Sequence, residues 1–287
     1  MKVLAPAKIN LYLWVGNRRP DGLHEIESVM QAVSLADELA IGPADAVSLD
    51  VSPVGAAPED DSNLVVAAVR ALLRECSAGS GAALHLTKRI PAGAGLGGGS
   101  ADAAAALVGL NQLWGCGLSK KALEKIGAGI GADVPFCVRG GTAGVLGAGE
   151  RLAPLIVRGP LWWVIAKPRE MLSTADVYAR FDALAGPPAA AADAHDLADA
   201  LARGDLERVG ASLRNDLFGA AVSLTPSVAV VRDSLLEAGA LGAVMTGSGT
   251  ACCGLARDEA DAAAIASRVA GATVATSLDR GARIVER

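Results

Sequence analysis

Five glycines fall within the seven positions from Gly93 to Gly99, inside the stretch PAGAGLGGGS that runs from Pro91 to Ser100. Glycine adopts positive φ angles without steric cost, so its backbone can turn sharply and approach a ligand closely. The alanine-rich segment that follows, to about Leu113, predicts a helix. The first N–H groups of that helix and the positive end of its dipole favour an anion. The sequence therefore predicts a loop and helix that bind phosphate.

The loop differs from three familiar glycine motifs. A Walker A loop ends in Gly-Lys-Ser/Thr, and no lysine follows the glycines here. Gly93, Gly95 and Gly98 match G-x-G-x-x-G, but no acidic residue lies between Asp102 and Glu124, where a dinucleotide-binding fold needs one. The protein-kinase sequences H-R-D and D-F-G are absent. A phosphate site of another type is favoured over a plain flexible turn before a helix.

The composition is that of an acidic globular protein. Hydrophobic residues make up 52% of the 287 positions, enough for the core of two ordinary domains or one large one. The net charge of −5 argues against a general nucleic-acid or membrane binder. The N-terminus lacks the apolar segment of a signal peptide. The five cysteines, at 76, 116, 137, 252 and 253, include no C-x-x-C pair, so buried free thiols in a reducing cytoplasm are expected.

Strand and helix signals are mixed along the chain without strict alternation. Strands are predicted over Val3–Leu4, Ile9–Val15, Asp45–Val51, Ala83–Thr87, Leu161–Ala166, Ala243–Met245 and Cys252–Ala256. Helices are predicted from Asn63 after a Ser62 cap, from Ser100, after a Ser119 cap, and over Ser227–Ala238 and Glu259–Ala270. The Ala/Pro-rich stretch Leu184–Asp193 predicts a loop or linker. This pattern favours an α+β fold with two domains, residues 1–155 and 156–287.

Outside the glycine-rich loop, the residues alone leave alternatives open. A second glycine turn, Met245–Thr250, follows a predicted strand and by itself is more typical of a hairpin turn than of a ligand site. Asp133 could serve as a general base or, with Pro135 two residues later, as a helix N-cap. Lys8 follows an apolar stretch, where a lysine commonly points into solvent.

Taken together, these motifs resemble the superfamily of galactokinase, homoserine kinase, mevalonate kinase and phosphomevalonate kinase (GHMP). Three segments occur in the order typical of the superfamily: APAKIN at 5–10, the glycine-rich loop, and Gly247–Gly249. Other segments resemble the branch that acts on a cytidylyl methylerythritol: RPDGLH at 19–24, Glu27–Ser28, Gln31, Asn63–Val65, GADVP at 131–135 and Asn215–Asp216. They cover the chain nearly end to end, so the combination is far more specific than any one motif.

The resemblance implies a fold and a reaction. The fold would combine an N-terminal domain like the second domain of ribosomal protein S5 with a C-terminal ferredoxin-like domain, and ATP and substrate would lie between them. The γ-phosphoryl of ATP would pass to the 2-hydroxyl of 4-diphosphocytidyl-2-C-methyl-D-erythritol, a step of non-mevalonate isoprenoid synthesis. Mg²⁺ would accompany ATP, with the Ser100 hydroxyl as its candidate ligand. A monomer or weak homodimer without nucleic-acid or membrane partners is expected.

The resemblance also implies roles for individual residues. Lys8 and Asp133 would be catalytic, with Asp133 as the base and Lys8 keeping it ionised. ATP contacts are implied for Asn63, Lys88, Pro91, Ala92, Gly93, Ala94, Gly95, Leu96, Gly97, Gly98, Gly99, Ser100 and Ala101. Substrate contacts are implied for Asn10, His24, Thr174, Tyr178, Gly247 and Ser248. His24 would bind the cytosine edge and Tyr178 would stack on the base, although a turn histidine and a packing tyrosine are the alternatives.

One position departs from the pattern of this branch, which usually has Gly-Tyr-His where this chain has Gly22-Leu23-His24. A base–aromatic stack contributes about 1–3 kcal/mol, and leucine lacks the π-face. The sequence therefore predicts weaker cytidine binding without a change of reaction.

Two other functions stay open on the sequence: a GHMP kinase for homoserine, mevalonate or a sugar, and a nucleotide-binding homologue without catalysis. The Asp-Gly-x-His pattern ending at His24 favours the cytidylyl substrate. The presence of both Lys8 and Asp133 argues against a loss of catalysis.

Overall fold

The computed structural model describes residues 1–77, 80–147, 149, 151–184 and 194–286, and the structural statements that follow concern these residues. The predicted linker Leu184–Asp193 lies outside them except for its first residue. The strands are β1 (Lys2–Arg18), β2 (His24–Pro43), β3 (Val47–Ser52), β4 (Ala82–Thr87), β5 (Thr142–Gly147), β6 (Arg151–Pro154), β7 (Trp162–Ala166), β8 (Arg214–Asn215), β9 (Gly242–Met245), β10 (Cys252–Ala256), β11 (Thr273–Thr276) and β12 (Arg283–Glu286). The helices are α1 (Leu64–Glu75), α2 (Gly98–Leu113), α3 (Lys120–Ala128), α4 (Val134–Arg139), α5 (Thr174–Leu184), α6 (His195–Arg203), α7 (Leu206–Ala211), α8 (Phe218–Leu224), α9 (Ser227–Glu237) and α10 (Glu259–Arg268).

The strands form two sheets. The larger one has the order β12-β1-β2-β4-β3, with β5 also beside β2, β6 beside β5 and β8 beside β1. The smaller antiparallel sheet has the order β11-β7-β10-β9. The predicted α+β class is confirmed. The predicted boundary near residue 155 falls between β6 and β7, where the chain passes from one sheet to the other, but β8 and β12 return to the larger sheet.

β1 is one continuous strand, whereas the sequence predicted two short ones. Pro6 lies within it, and the pairing register with β2 shifts between Pro6 and Lys8. Proline has no N–H to donate, so an irregular register accommodates it inside a strand. The long β2 was not predicted, because its central residues are buried on both faces and lose the alternation that identifies a half-exposed strand.

Small residues let α2 lie close to the larger sheet. The alanines at 101 and 103–106 are fully buried. At Gly109 an added Cβ would lie 2.3 Å from Cδ1 of Ile41 and 2.9 Å from Cγ2 of Val3. Since real carbon atoms do not approach so closely, a larger residue would force the Ile41 and Val3 side chains, or the helix itself, to shift. The close packing fixes the start of α2, where the glycine-rich loop ends.

α1 begins one residue later than predicted, because Asn63 rather than Ser62 is its N-cap. The Asn63 side chain accepts a hydrogen bond from the Val65 N–H at 2.9 Å. Ser62 instead bonds the carboxylate of Asp60. By contrast, Ser119 caps α3 as predicted, with its hydroxyl accepting from the Ala122 N–H.

A disulfide joins Cys76 and Cys116, so the prediction of free thiols was wrong for this pair. Cys76 is the C-cap of α1 and Cys116 follows α2, and folding brings their Cα atoms within 5.4 Å across 40 positions of sequence. No local pattern marks such a pair. Cys137, Cys252 and Cys253 are free and buried, as predicted.

The disulfide should stabilise the fold. Closing a loop across 40 positions restricts the unfolded chain, so reduction is expected to lower the free energy of unfolding by about 3–4 kcal/mol. Urea unfolding with and without dithiothreitol measures this difference. The double variant Cys76→Ser/Cys116→Ser is the control and should not respond to reductant. Equal unfolding midpoints for oxidised and reduced wild type would contradict the prediction.

Candidate active site

A cavity of about 1,070 Å³ contains most of the residues singled out by the sequence. Its walls come from β1, the glycine-rich loop after β4, the residues before α4, helix α5 and the turn after β9. Lys8, Asp133 and every proposed ATP and substrate residue except Ala101 line it. Ala101 is fully buried, and its N–H donates to the Gly97 carbonyl at 2.9 Å, so it is not available to a ligand.

The glycine-rich loop packs directly on the turn that follows β9. Gly95 has a φ of +77°, and an added Cβ would lie 2.0 Å from the carbonyl oxygen of Thr246. The Ala251 N–H also donates to the Ala94 carbonyl at 3.1 Å. The second glycine turn is therefore part of the cavity wall and not a remote hairpin turn. The loop ends at Gly97, the N-cap of α2, where the first helical N–H groups lack partners within the helix.

Lys8 and Asp133 meet in the cavity, although they are 125 positions apart in the sequence. The Lys8 Nζ lies 3.3 Å from Oδ2 of Asp133, and these side chains are 5% and 28% exposed. Asp133 occupies the N-cap position of α4 but makes no capping hydrogen bond with its side chain. Its carboxylate faces Lys8 instead, which removes the simple capping alternative.

Asn10 supports Lys8 and links three parts of the chain. The Lys8 Nζ donates to the Asn10 Oδ1 at 2.8 Å, and the Gly247 N–H donates to the same oxygen at 3.0 Å. The Asn10 N–H donates to the Thr246 hydroxyl at 3.0 Å. Sequence reasoning missed Thr246, because its contact with Asn10 spans 236 positions and has no local signal.

Glycine is required where the Lys8 side chain passes beneath the loop. Gly97 has a φ of +70°, and an added Cβ would lie 2.9 Å from Cγ of Lys8. The Lys8 N–H donates to the Leu96 carbonyl at 3.0 Å. The strand that carries Lys8 is thus bonded to the loop predicted to hold phosphate.

His24 and Tyr178, for which the resemblance implies contacts with the base, lie together with Phe181. The rings of His24 and Tyr178 have centroids 5.2 Å apart, and the Phe181 ring approaches His24 edge-on at 6.2 Å. Burial raises the pKa of Tyr178 to about 12, and the negative charge of Asp133 adds to the effect. Leu23 is 54% exposed beside this group.

Other proposed contact residues make hydrogen bonds within the chain. The Thr174 and Ser248 hydroxyls lie 2.8 Å apart and join α5 to the second glycine turn. Asn63 is used as a helix cap. Lys88 is not a solvated charge, because its Nζ bonds the carboxylates of both Asp37 and Asp102.

The Asp37–Lys88–Asp102 cluster was not predicted from the sequence. Asp37 is fully buried and also accepts backbone hydrogen bonds from Arg89 and Ile90, the residues just before the glycine-rich loop. Asp102 has one buried oxygen, Oδ1, without a hydrogen-bond partner among the described residues. Burial raises the pKa of Asp102 to about 7 although the Lys88 charge opposes the rise.

The Asp102 carboxyl should make stability depend on pH. Its pKa is about 7 when folded against an ordinary value of 3.8, so the folded state binds the proton more tightly between these values. Stability is therefore lost as pH rises through this window. Relative to Asp102→Asn, wild type should lose unfolding free energy between pH 4 and pH 8, on the order of a few kcal/mol. Urea unfolding across this range measures it, and parallel pH profiles for the two proteins would contradict it.

Comparisons with known proteins identify the family. Family models described as the GHMP kinases N terminal domain and the GHMP kinases C terminal match residues 63–141 and 197–275. A protein of Nocardia farcinica named 4-diphosphocytidyl-2-C-methyl-D-erythritol kinase is 43% identical over 99% of this chain and 96% of its own length. The chain belongs to the GHMP kinase family.

Other members of the GHMP kinase family are also similar. A Salinispora tropica protein with the same name as the Nocardia farcinica one is 43% identical over 96% of this chain and 89% of its own. The crystal structure of a 4-(cytidine 5'-diphospho)-2C-methyl-D-erythritol kinase superposes with a TM-score of 0.77 at 35% identity, covering 96% of this chain and 99% of that one. A homoserine kinase of Cytophaga hutchinsonii also reaches 0.77, covering 99% and 97%, but at 24% identity it supports the fold alone.

Among the described residues, no helix is both long enough and apolar enough to cross a bilayer.

Proposed function

We propose that this GHMP kinase transfers the γ-phosphoryl group of ATP to the 2-hydroxyl of 4-diphosphocytidyl-2-C-methyl-D-erythritol, giving the 2-phosphate and ADP. The observation that carries the proposal is the Lys8–Asp133 pair, 3.3 Å apart in the cavity that the glycine-rich loop also lines. The relatives that share about 43% of their residues with this chain support the choice of acceptor.

Asp133 and Lys8 act on the acceptor alcohol. As the hydroxyl oxygen forms its bond to the γ-phosphorus, Asp133 accepts the hydroxyl proton. The bond between the γ-phosphorus and the β,γ-bridging oxygen breaks, and ADP leaves with that electron pair. The Lys8 ammonium lies 3.3 Å from Oδ2 of Asp133, and this ion pair orients the carboxylate toward the acceptor hydroxyl. Asn10 keeps the Lys8 ammonium in place through its 2.8 Å hydrogen bond.

The glycine-rich loop and the start of α2 hold the triphosphate. Backbone N–H groups at Gly98, Gly99 and Ser100 lie in the cavity wall, where the helix dipole also favours negative charge. Gly95 and Gly97 allow the loop to lie against Thr246 and Lys8 without a steric clash. Phosphate binding therefore relies on the main chain and needs no lysine within the loop.

Ser100 lines the cavity at the start of α2 and offers one hydroxyl oxygen to a divalent cation. Among the described residues no three His, Cys, Asp or Glu side chains come together as a metal site. Mg²⁺ suits such a site, because it keeps several waters and is held by substrate phosphates with one or two protein oxygens. When bound it neutralises charge on the phosphate oxygens. The Ser100 hydroxyl is the protein ligand that we propose.

We also propose that the domains divide near residue 155, that the chain works as a monomer or weak homodimer, and that it is cytoplasmic. In a reducing cytoplasm the Cys76–Cys116 pair would be open to reduction, so its oxidation state in cells is a direct test of the location.

An acceptor panel tests the proposed reaction. Purified protein is incubated with ATP, Mg²⁺ and one acceptor at a time: the cytidylyl methylerythritol, homoserine, mevalonate or galactose. Rapid ADP release is expected with the first alone, and mass spectrometry should identify one added phosphate. Faster release with any other acceptor, or none with the cytidylyl compound, would overturn the proposal.

Leu23→Tyr should strengthen substrate binding. A tyrosine at this exposed position restores a π-face for the base, so KM for the cytidylyl substrate is expected to fall about 5- to 10-fold with kcat nearly unchanged. Leu23→Ala is the matched control and should raise KM. Steady-state kinetics measure both, and an unchanged or higher KM for the tyrosine variant would refute the stacking argument.

A further inference from the structure

Helix α5 carries an acidic side chain beside the aromatic group of the cavity. Tyr178, Phe181 and Asp182 follow one another at i, i+3 and i+4, so they share one face of the helix. The Asp182 side chain is 42% exposed and lines the cavity. No local pattern distinguishes this aspartate in the sequence, because an acidic residue on a helix is commonly a solvated charge.

Asp182 contacts His24, whose polar edge is used within the protein. The His24 Nδ1 lies 2.9 Å from the carbonyl oxygen of Gly16, and its Nε2 lies 3.2 Å from Oδ1 of Asp182. The imidazole is only 8% exposed. Both ring nitrogens therefore face protein oxygens, whereas the carboxylate of Asp182 is still accessible from the cavity. Asp182 is therefore a side-chain acceptor on the cavity wall that can meet the edge of a base.

A carboxylate distinguishes the two pyrimidines by its hydrogen-bonding capacity. Ionised aspartate only accepts hydrogen bonds. Cytosine presents an amino donor at position 4, and aspartate is a known partner for it, whereas uracil presents a carbonyl acceptor there. Uracil would therefore lose the hydrogen bond and bring its oxygen against the negative charge.

We propose that Asp182 accepts a hydrogen bond from the cytosine amino group and so selects the cytidylyl over the uridylyl form of the acceptor substrate. This inference rests on the proposed function and adds a specificity residue to it. His24 is then a positioning residue that orients the carboxylate, and Tyr178 supplies the apolar face on which the base lies.

The exposure of the Asp182 side chain limits how strongly it can favour the cytidylyl over the uridylyl compound. Sites that bury a polar group against the wrong partner reject it by large factors, but a half-exposed carboxylate can still be solvated by water. A preference of about 10- to 100-fold in kcat/KM is expected for the cytidylyl over the uridylyl compound. It should act mainly on KM, since Asp182 is assigned to the base and not to the reacting atoms.

The test compares wild type, Asp182→Asn and Asp182→Ala with cytidylyl and uridylyl methylerythritol as acceptors. The asparagine amide offers both an acceptor and donors, so its preference should fall to within about 3-fold, with kcat nearly unchanged. The alanine variant should likewise lose the preference through a higher KM for the cytidylyl compound. Asp176→Asn, at an exposed position of the same helix outside the cavity wall, should keep the wild-type preference.

The outcomes distinguish failure of the proposed function from failure of the role proposed for Asp182. If wild type phosphorylates neither compound, the proposed function fails. If wild type uses the cytidylyl compound but accepts the uridylyl one equally well, or if Asp182→Asn keeps the full preference, the role of Asp182 is overturned while the proposed function stands. Loss of the preference in both Asp182 variants, with Asp176→Asn unaffected, supports it.

Discussion

Replacing Asp133 with asparagine should lower kcat about 10²- to 10⁴-fold, the range that a general base contributes. Asparagine has nearly the same shape but cannot accept the hydroxyl proton as a carboxylate does. The Asp133 side chain makes no capping hydrogen bond, so its loss should leave α4 intact. Binding of ATP should change little, because the loop amides hold the triphosphate. Single-turnover kinetics with the cytidylyl substrate measure the chemical step directly.

Two controls test whether the lower kcat of Asp133→Asn comes from the lost carboxylate. Thermal unfolding of the variant should stay close to wild type, which excludes loss of the fold as the cause. Asp176→Asn, an exposed aspartate outside the cavity, should turn over normally. An Asp133→Asn protein as fast as wild type would show that the carboxylate is not the base.

Gly95→Ala should raise KM for ATP at least 10-fold and lower kcat/KM by about 10- to 100-fold. The new Cβ would lie 2.0 Å from the Thr246 carbonyl oxygen and 3.1 Å from the Gly249 nitrogen, and both are backbone atoms that cannot turn aside. Either the loop or the turn after β9 must move. The shift would displace the amides that hold phosphate, and 1 Å errors in such positions reduce rates strongly.

Gly271→Ala is the matched control for Gly95→Ala. Gly271 also has a positive φ, +71°, but an added Cβ meets no atom within 4 Å. Both variants share the cost of about 1–2 kcal/mol for a left-handed alanine, so only the clash differs. The control should lose some stability and keep its KM for ATP. If Gly95→Ala also keeps the wild-type KM for ATP, the loop does not depend on the close contact between Gly95 and Thr246.

Elements with strong local signals could be predicted from the sequence. α2, the Ser119 cap and β10 depend on periodicity, a capping residue and a short apolar run, which neighbouring residues determine. The glycine-rich loop was predictable for the same reason. β2 and the continuity of β1 were not, because pairing with distant strands decides them. The Cys76–Cys116 disulfide is equally a product of tertiary packing.

The residues of the candidate site also differ in whether a local sequence signal predicts them. Local chemistry indicated the phosphate loop, whereas only the family resemblance suggested that Lys8 and Asp133 lie together. The Thr246 contact with Asn10 and the Asp182 contact with His24 have no signal in either source, since each joins residues far apart in the sequence. A single polar residue shows its role only when its partner is known.

A crystal structure with a non-hydrolysable ATP analogue and the cytidylyl methylerythritol would place both reactants relative to Lys8 and Asp133. The triphosphate is expected against the backbone amides of Gly97–Ser100, with the 2-hydroxyl within about 3 Å of the Asp133 carboxylate. A triphosphate bound away from those amides, or an acceptor hydroxyl out of reach of both Asp133 and Lys8, would contradict it.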